Sequence, residues 1–153
     1  MLAFENTVNI EVSIGEVFIF VSDQRNNPKW NYYILSVEQT NTCLGAGAEY
    51  LQVRKRDRQA YRITTLILDR CCVVQTLPGA RPAVRRIIHF AGDEGHTTIR
   101  DRVELGIPLP KFLSSWLTAK SRRAVRHNLN CLKTLLETGE VVLIDGRTIT
   151  IDG

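Results

Sequence analysis

One long uninterrupted helix limits the folds open to this chain more than any other feature of the sequence. From Lys111 to about Thr138 no glycine or proline occurs, and leucines recur at α-helical spacing. Pro108 and Pro110 precede the run, and Gly139 stands where a helix commonly ends. Such a helix would be roughly 40 Å long, well above the usual length. It must cover its apolar stripe against a sheet, and a curved sheet that grips one helix tends to leave a cavity between them.

Nearly everything before this helix has the pattern of β-strand. A first strand, Phe4 to Val12, alternates apolar and polar residues. Ser13-Ile14-Gly15-Glu16 then has the form of a capping box and predicts a short helix, and Asn26 to Asn31 predicts a second short helix or a turn. The connections that follow are short, so we expect antiparallel neighbours. The remaining predicted strands are Tyr33 to Thr40 (with Leu35 and Val37 facing inward), Ala48 to Lys55, Gln59 to Leu68, Cys71 to Leu77, Val84 to Phe90 and Thr97 to Leu105.

The residues after Gly139 form a separate piece. Val141 to Ile144 and Arg147 to Ile151 flank Asp145-Gly146, which predicts a hairpin with a two-residue type I′ turn. Four consecutive apolar residues, Val141 to Ile144, leave both faces of this hairpin in need of cover. The tail could pack back on its own domain, or it could pair with a second chain in a symmetric homodimer. We favour the dimer, because the preceding domain looks complete without the tail.

Composition excludes several classes of protein. The chain has 153 residues, 44% of them hydrophobic, which suits one domain with a sizeable core. Its formal charge of +4, from 20 Lys+Arg against 16 Asp+Glu, is too balanced for a typical nucleic-acid binder. No stretch approaches the roughly 20 apolar residues of a membrane span, and the first residues lack signal-peptide features. We therefore expect a soluble, cytoplasmic protein with at most peripheral membrane contact.

The reactive side chains of the sequence do not form a recognisable catalytic or metal-binding motif. Its cysteines lack a C-x-x-C pair, and we expect them to be reduced thiols. No nucleophile triad, paired-carboxylate motif, nucleotide loop or metal-ligand spacing occurs, so we expect neither a metal nor a cofactor. The residues concerned are Cys43, Cys71, Cys72, Cys131, His89, His96 and His127.

The apolar stripe of the long helix gives the first candidate site residues. At 100° per residue, Ser121 and Asn128 fall within this stripe. They could satisfy local backbone groups at a wet cavity edge, or they could hydrogen-bond a ligand. Ala124 is small and leaves room in mid-stripe, whereas Arg122, Arg123, Arg126 and Lys133 point away from it. The apolar members of the stripe are Leu117, Ala124, Val125, Leu132 and Leu135.

Two inward-facing charges give the second group of candidates. Asp101 shares a strand face with Ile99 and Val103, and Arg86 shares one with Ile88 and Phe90. A turn centred on Asp93-Glu94 would place Phe90 opposite Thr97, Ile88 opposite Ile99 and Arg86 opposite Asp101. An inward unpaired charge is costly, so we expect Arg86 and Asp101 to form an ion pair. The pair could merely close one end of a cavity, or it could anchor a polar group of a ligand.

The order of these elements resembles the START-like (SRPBCC) superfamily, in its polyketide cyclase/dehydrase and lipid-transport branch. The resemblance covers about residues 4 to 138 and implies an α+β helix-grip (START/Bet v 1-like) fold. In this fold, a curved antiparallel sheet of about six to seven strands surrounds a long C-terminal helix, with two short helices after the first strand. We divide the chain into a helix-grip domain, 1–139, and a β-hairpin extension, 140–153. The matching segments are Ser13 to Phe18, Ser22-Asp23 with Pro28-Lys29-Trp30, Gly45-Ala46-Gly47, Phe90 with Gly95-His96-Thr97-Thr98, and Asn128 to Glu137.

The resemblance implies binding of a hydrophobic small molecule, lipid-, isoprenoid- or polyketide-like, between helix and sheet. Two alternatives stay open, a cyclase or dehydratase acting in the same cavity and a protein-interaction module. Trp30 is expected to plug the core, and the facing of Tyr50 and Tyr61 stays open. The candidate ligand-binding residues are Arg86, Ile88, Phe90, Ile99, Asp101, Val103, Leu117, Ser121, Ala124, Asn128 and Leu132.

Overall fold

Seven strands form a single antiparallel sheet in the order β1-β7-β6-β5-β4-β3-β2. The computed structural model describes residues 1–152; Gly153, the last residue of the predicted tail, lies outside the described part. The predicted curved antiparallel sheet is thereby confirmed at seven strands. Their bounds are β1 Leu2–Ile10, β2 Ile34–Gln39, β3 Glu49–Arg54, β4 Arg58–Ile67, β5 Cys71–Thr76, β6 Ala83–Gly92 and β7 Thr97–Gly106.

Three helices complete the domain: α1 (Ile14–Ser22), a 3₁₀ helix (Gln24–Lys29) and α2 (Lys111–Thr138). The predicted cap of α1 is present, since the Ser13 hydroxyl accepts a hydrogen bond from the Glu16 N–H at 3.4 Å. Gly139 ends α2 in the left-handed conformation, with φ of 84°, which a residue without Cβ adopts freely. The proline before α2 and the glycine after it therefore set the two ends of the long helix, as the sequence predicted.

The long helix is anchored along the edge strand β1. The Asn6 side-chain amide donates to the Arg122 carbonyl at 3.0 Å, and the Lys133 ammonium donates to the Asn9 carbonyl at 2.5 Å. Only the second half of the helix contributes buried side chains, since none of residues 111–127 is buried. The buried helix residues are Asn128, Leu129, Cys131, Leu132 and Leu135.

The filled core lies under this second half of α2. There α1 inserts between helix and sheet, and Phe18 meets Phe90 edge to face with ring centroids 5.1 Å apart. Leu132 and Leu135 close the same cluster from above and are fully buried. The core is therefore displaced toward one end of the helix, and the other end stands apart from the sheet.

The predicted register of the β6–β7 hairpin is wrong by two residues. Gly92 stands opposite Thr97, so Phe90 faces Ile99 across the strands. Glycine is needed at this point, since a Cβ at residue 92 would lie 2.1 Å from the His96 carbonyl oxygen. Because the slip is two residues, each side chain keeps its predicted face.

A bulge in the edge strand β2 also differs from expectation. The pairing with β3 shifts between Ile34 and Ser36, and Leu35 is 48% exposed instead of facing inward. The extra residue reverses the alternation at that point.

The terminal hairpin forms, but its turn is not the two-residue turn that was predicted. Strands β8 (Glu140–Val142) and β9 (Thr148–Thr150) are joined through a bond from the Gly146 N–H to the Leu143 carbonyl at 2.9 Å. Gly146 has φ of 90°, as in a three-residue loop that ends in a left-handed glycine. In this hairpin, residues 141–144 alternate between the buried and the exposed face.

The tail packs on its own chain, the first of the two alternatives. Val141 and Leu143 are 8% and 2% exposed within the main core cluster, and the Lys55 ammonium holds the Asp145 carboxylate at 2.9 Å. The inward face of the tail is thus covered in cis, whereas its outward apolar face stays exposed. The homodimer through the tail stays a prediction.

Candidate functional site

A cavity of about 690 Å³ lies between the first half of α2 and the concave face of the sheet. It occupies the region where the helix stands apart, at the end opposite the filled core. Its volume falls within the range of about 300–1,000 Å³ that is typical of small-molecule sites. The helix contributes Leu117, Lys120, Ser121, Ala124, Val125 and Asn128 to its wall.

The structure brings seven of the eleven predicted site residues together around this cavity. The other four do not line it. Phe90, Ile99 and Leu132 belong to the filled core, where Phe18 from α1 occupies the space that was assigned to a ligand. Asp101 is fully buried and meets the cavity only through Arg86. The seven that line it are Arg86, Ile88, Val103, Leu117, Ser121, Ala124 and Asn128.

The predicted ion pair is present in the wall of the cavity. Arg86 Nε donates to Asp101 Oδ1 at 2.9 Å, and Arg86 Nη2 donates to Asp101 Oδ2. Arg86 stands opposite Val103 in the register, so the pair reaches diagonally across the two strands. Burial alone would lower the pKa of Arg86, but the Asp101 charge and hydrogen bonds outweigh it and hold that pKa raised. Arg86 also lies over the Trp30 ring, 5.4 Å from its centroid.

A second polar group joins the 3₁₀ helix to the sheet. The Tyr61 hydroxyl donates to Gln24 Oε1 at 3.2 Å, and the Asn27 side-chain amide donates to the same oxygen at 3.1 Å. Tyr61 stacks on Tyr50 with centroids 5.5 Å apart, so both rings lie on the inner face. Burial raises the pKa of Tyr61, which keeps its hydroxyl neutral and able to donate. No pattern in the sequence singled out Gln24, which lies before the predicted short helix of residues 26–31.

Two buried polar atoms in the cavity wall have no hydrogen-bond partner among residues 1–152. They are the indole nitrogen of Trp30 and the side-chain oxygen of Asn128. Both residues are more than nine-tenths buried, at 2% and 5% exposed. Buried polar atoms are nearly always paired, so each of these can accept a partner from a molecule in the cavity. The expected core position of Trp30 is thus correct, but its indole edge also faces the site.

All charged side chains that line the cavity are basic. Among the described residues, no Asp or Glu contributes to its wall. Lys55 is neutralised by Asp145, and Arg86 by Asp101, whereas Arg56 and Lys120 are exposed. Cys72 also lines the cavity, but burial raises its pKa to about 12 and keeps it a thiol. The site therefore offers hydrogen-bond donors and cations, and no carboxylate for proton transfer.

The described part of the chain contains no evident metal centre. No three His, Cys, Asp or Glu side chains in it converge in a way that could hold an ion. All four cysteines are free thiols, and Cys43 is the one that is exposed. No helix among these residues combines the length and the apolar character needed to cross a bilayer.

Comparison with known proteins identifies the fold. No protein-family model and no curated protein sequence matches the chain. A START superfamily protein from Mycobacterium smegmatis matches in structure with a TM-score of 0.71 at 12% identity, over 88% of this chain and 98% of that chain. The Aha1 dimer from Colwellia psychrerythraea matches with a TM-score of 0.70 at 15% identity, over 91% and 98%.

A third solved structure is a longer protein. The di-domain ARO/CYC BexL from the BE-7585A biosynthetic pathway matches with a TM-score of 0.72 at 13% identity, over 90% of this chain and 47% of that one. The chain thus spans about half the length of BexL. Identities this low establish the fold alone, and they confirm the START-like helix-grip fold that the sequence predicted.

Proposed function

We propose that this protein binds a hydrophobic small molecule, lipid-, isoprenoid- or polyketide-like, in the cavity under α2 and carries or senses it in the cytoplasm. The observation that carries this proposal is the cavity of about 690 Å³ between the first half of α2 and the sheet. Ile88, Val103 and Leu117 give it apolar walls, and a few polar groups interrupt them.

Apolar burial supplies enough free energy for useful affinity. A ligand that buries roughly 300 Å² of apolar surface would gain about 7.5 kcal/mol at 25 cal/mol per Å². The loss of translational and rotational freedom opposes this gain, so micromolar affinity also needs some hydrogen bonding. Carriage and sensing require no more than this.

The polar groups favour a ligand with one or two oxygen atoms. The Trp30 N–H can donate to a carbonyl or hydroxyl oxygen, and the Asn128 side-chain oxygen can accept from a hydroxyl. A purely hydrocarbon ligand would leave both unpaired, at a cost of about 1–3 kcal/mol for each group. We therefore expect a hydroxylated or oxidised ligand to bind better than its parent hydrocarbon.

A pair of tryptophan substitutions on α2 tests the proposal. Ala124→Trp places an indole in the cavity, whereas Ala119→Trp places the same group on the exposed side of the same helix. The affinity for 1-naphthol, followed by fluorescence, should fall at least tenfold in Ala124→Trp and stay unchanged in Ala119→Trp. Undiminished binding by a folded Ala124→Trp variant would place the site elsewhere. Native mass spectrometry of the protein from its own host would then identify the natural ligand.

A cyclase or dehydratase acting in the same cavity is the second candidate. Its support is the structural likeness to the di-domain ARO/CYC BexL. Because no Asp or Glu lines the described cavity wall, its neutral acids are the Tyr61 hydroxyl and the Cys72 thiol, and burial raises the pKa of both. Incubation with a poly-β-ketone distinguishes the two functions by mass, because cyclisation with dehydration removes one water molecule and carriage leaves the mass unchanged. A product that forms with the wild type but not with Tyr61→Phe would favour catalysis.

An interaction module, the third reading of the sequence, does not need a cavity. The filled core that would favour it is absent from the first half of α2, where none of residues 111–127 is buried. We therefore prefer ligand binding to an interaction role for this part of the molecule.

A further inference from the structure

The start of α2 carries an exposed apolar cluster, which we name the apolar tip. It consists of Leu109, Phe112, Leu113 and Trp116, which are 37%, 75%, 41% and 62% exposed. Phe112 and Trp116 are one turn apart and therefore adjacent on the helix surface. Scattered exposed apolar residues are normal, but a contiguous group with two aromatic rings marks a contact surface.

The apolar tip does not close the cavity. At 100° per residue, Phe112 lies about 180° from Ser121, and Ser121 lines the cavity. Trp116 lies about 140° from Ser121 by the same measure, although about 40° from Lys120. None of the four residues of the apolar tip lines the cavity, and the Phe112 and Trp116 rings are largely exposed.

All charged residues of the helix before Glu137 are basic. Residues 111–136 contain six Lys and Arg and no Asp or Glu, and Glu137 is the first acidic residue of α2. Lys120 lies over the Trp116 ring, 5.1 Å from its centroid, so cationic and apolar groups share one surface. The exposed basic residues are Lys111, Lys120, Arg122, Arg123 and Arg126.

We infer that this surface docks on an anionic lipid bilayer. The apolar tip would enter the boundary between headgroups and acyl chains, and the basic residues would meet lipid phosphates. Aromatic side chains beside Lys and Arg on an amphipathic helix are the pattern of an interfacial helix. Charge complementarity favours an anionic partner, because every charged side chain of this surface is cationic.

A second copy of the chain fits this surface poorly. In a two-fold dimer the same patch faces itself, so Lys120 and Arg123 of one chain would meet the same cations of the other. Like charges held together in this way oppose association. Each basic residue instead strengthens binding to an anionic membrane.

Docking would also bring the cavity close to the membrane. Leu117 and Lys120 line the cavity from the same turns of the helix that carry the apolar tip, and Arg56 lines it from the opposite side. An apolar molecule could then pass between bilayer and cavity over a short distance. The docking surface itself does not depend on what the cavity holds.

Vesicle co-sedimentation of the full chain tests the inference. The wild type should bind vesicles of phosphatidylcholine with phosphatidylglycerol, and it should bind phosphatidylcholine alone at least tenfold more weakly. The variant Phe112→Ser/Trp116→Ser should lose at least tenfold in binding to anionic vesicles. A matched control, Leu68→Ser, removes a side chain that is 73% exposed elsewhere and should bind as the wild type does.

A charge-reversal variant provides a second, independent measurement. Arg122→Glu/Arg123→Glu should weaken anionic binding by more than tenfold, since each basic residue near an anionic surface contributes roughly fivefold. Raised salt should weaken the wild type in the same direction. Both variants should keep their affinity for 1-naphthol without vesicles, which separates this inference from the proposed ligand site.

Several outcomes would overturn the inference. These are a wild type that ignores anionic vesicles, equal binding to neutral and anionic vesicles, and unchanged binding by either double variant. A concentration-dependent dimer that Trp116→Ser abolishes, seen by sedimentation velocity, would assign the surface to self-association. Binding only to an acidic protein, with none to vesicles, would equally refute it.

Discussion

Breaking the Arg86–Asp101 pair should destabilise the protein more than any other single charge removal. Asp101 is fully buried, and the Arg86 side chain is 18% exposed. Removing one partner of a buried pair costs about 3–5 kcal/mol, because the other charge is left without compensation. Asp101→Leu should lie near the lower limit, at about 3 kcal/mol, because Arg86 keeps the Trp30 ring and some solvent.

The double variant Arg86→Met/Asp101→Leu should cost much less than the sum of its two single variants. Apolar residues of similar volume remove both desolvation penalties together, so a combined loss of about 1 kcal/mol is expected. Urea denaturation of the four proteins in the cycle gives the coupling, which should be at least 2 kcal/mol. In a chain of this size, Asp101→Leu should also lower the melting temperature by about 6–12 °C.

The neighbouring pair Arg85–Glu104 is the matched control. It joins directly opposed residues on the outer face of the same two strands, at 3.3 Å, and the Arg85 side chain is 47% exposed. An exposed pair of this kind contributes about 0–1 kcal/mol, so its cycle to alanine should be nearly additive. The reasoning is refuted if the Arg86–Asp101 cycle is as additive as this control.

Three further predictions follow from the tail and the cavity wall. Leu143→Ala should cost about 2–4 kcal/mol in urea denaturation, whereas the adjacent Ile144→Ala, at 64% exposed, should cost under about 0.5 kcal/mol; equal losses would contradict the cis packing of the tail. Hydrogen bonds from Lys55 and Arg147 lower the pKa of Asp145. The ionised carboxylate therefore stabilises the folded tail fully above an aspartate's ordinary pKa of about 4, and this stabilisation is lost as the pH falls below that value. The protection factors of the β8–β9 amides, corrected for the intrinsic pH dependence of exchange, should therefore fall on acidification, and Asp145→Asn should remove that fall. Asn128→Leu should raise the free energy of unfolding by about 1 kcal/mol by removing an unpaired buried oxygen, and it should weaken 1-naphthol binding; a destabilised variant would show that Asn128 is satisfied.

The fold was predictable because local signals and the global arrangement agree. Pro110 and Gly139 bound the long helix, Ser13 caps α1, and strand alternation fixed which face of β6 and β7 is inward. Each of these depends on residues close together in the sequence, so no tertiary information was needed. Turn geometry was less accessible, because Gly92 and Gly146 each allow more than one loop length.

The sequence predicted which face of the strands points toward the site, but it did not predict how much of that face lines the cavity. Alternation shows that both Ile88 and Phe90 point inward, yet it cannot show that Phe18 from α1 fills the space above Phe90 alone. That contact joins residues far apart in the chain, and only the packed structure decides it. For the same reason, the sequence could not show that polar atoms of Trp30 and Asn128 lack a hydrogen-bond partner among the described residues, because that depends on every neighbouring residue in space.

All buried residues of α2 lie in its second half, so the two halves of this helix have different roles. Residues 128–135 hold the core, and residues 111–127 shape the cavity and the outer surface without being buried themselves. Substitutions in the first half should therefore alter what the protein recognises at little cost in folding free energy, since surface changes usually stay within about 0.5 kcal/mol. A lineage carrying this scaffold could exchange one ligand for another through those 17 positions while its core residues stayed the same.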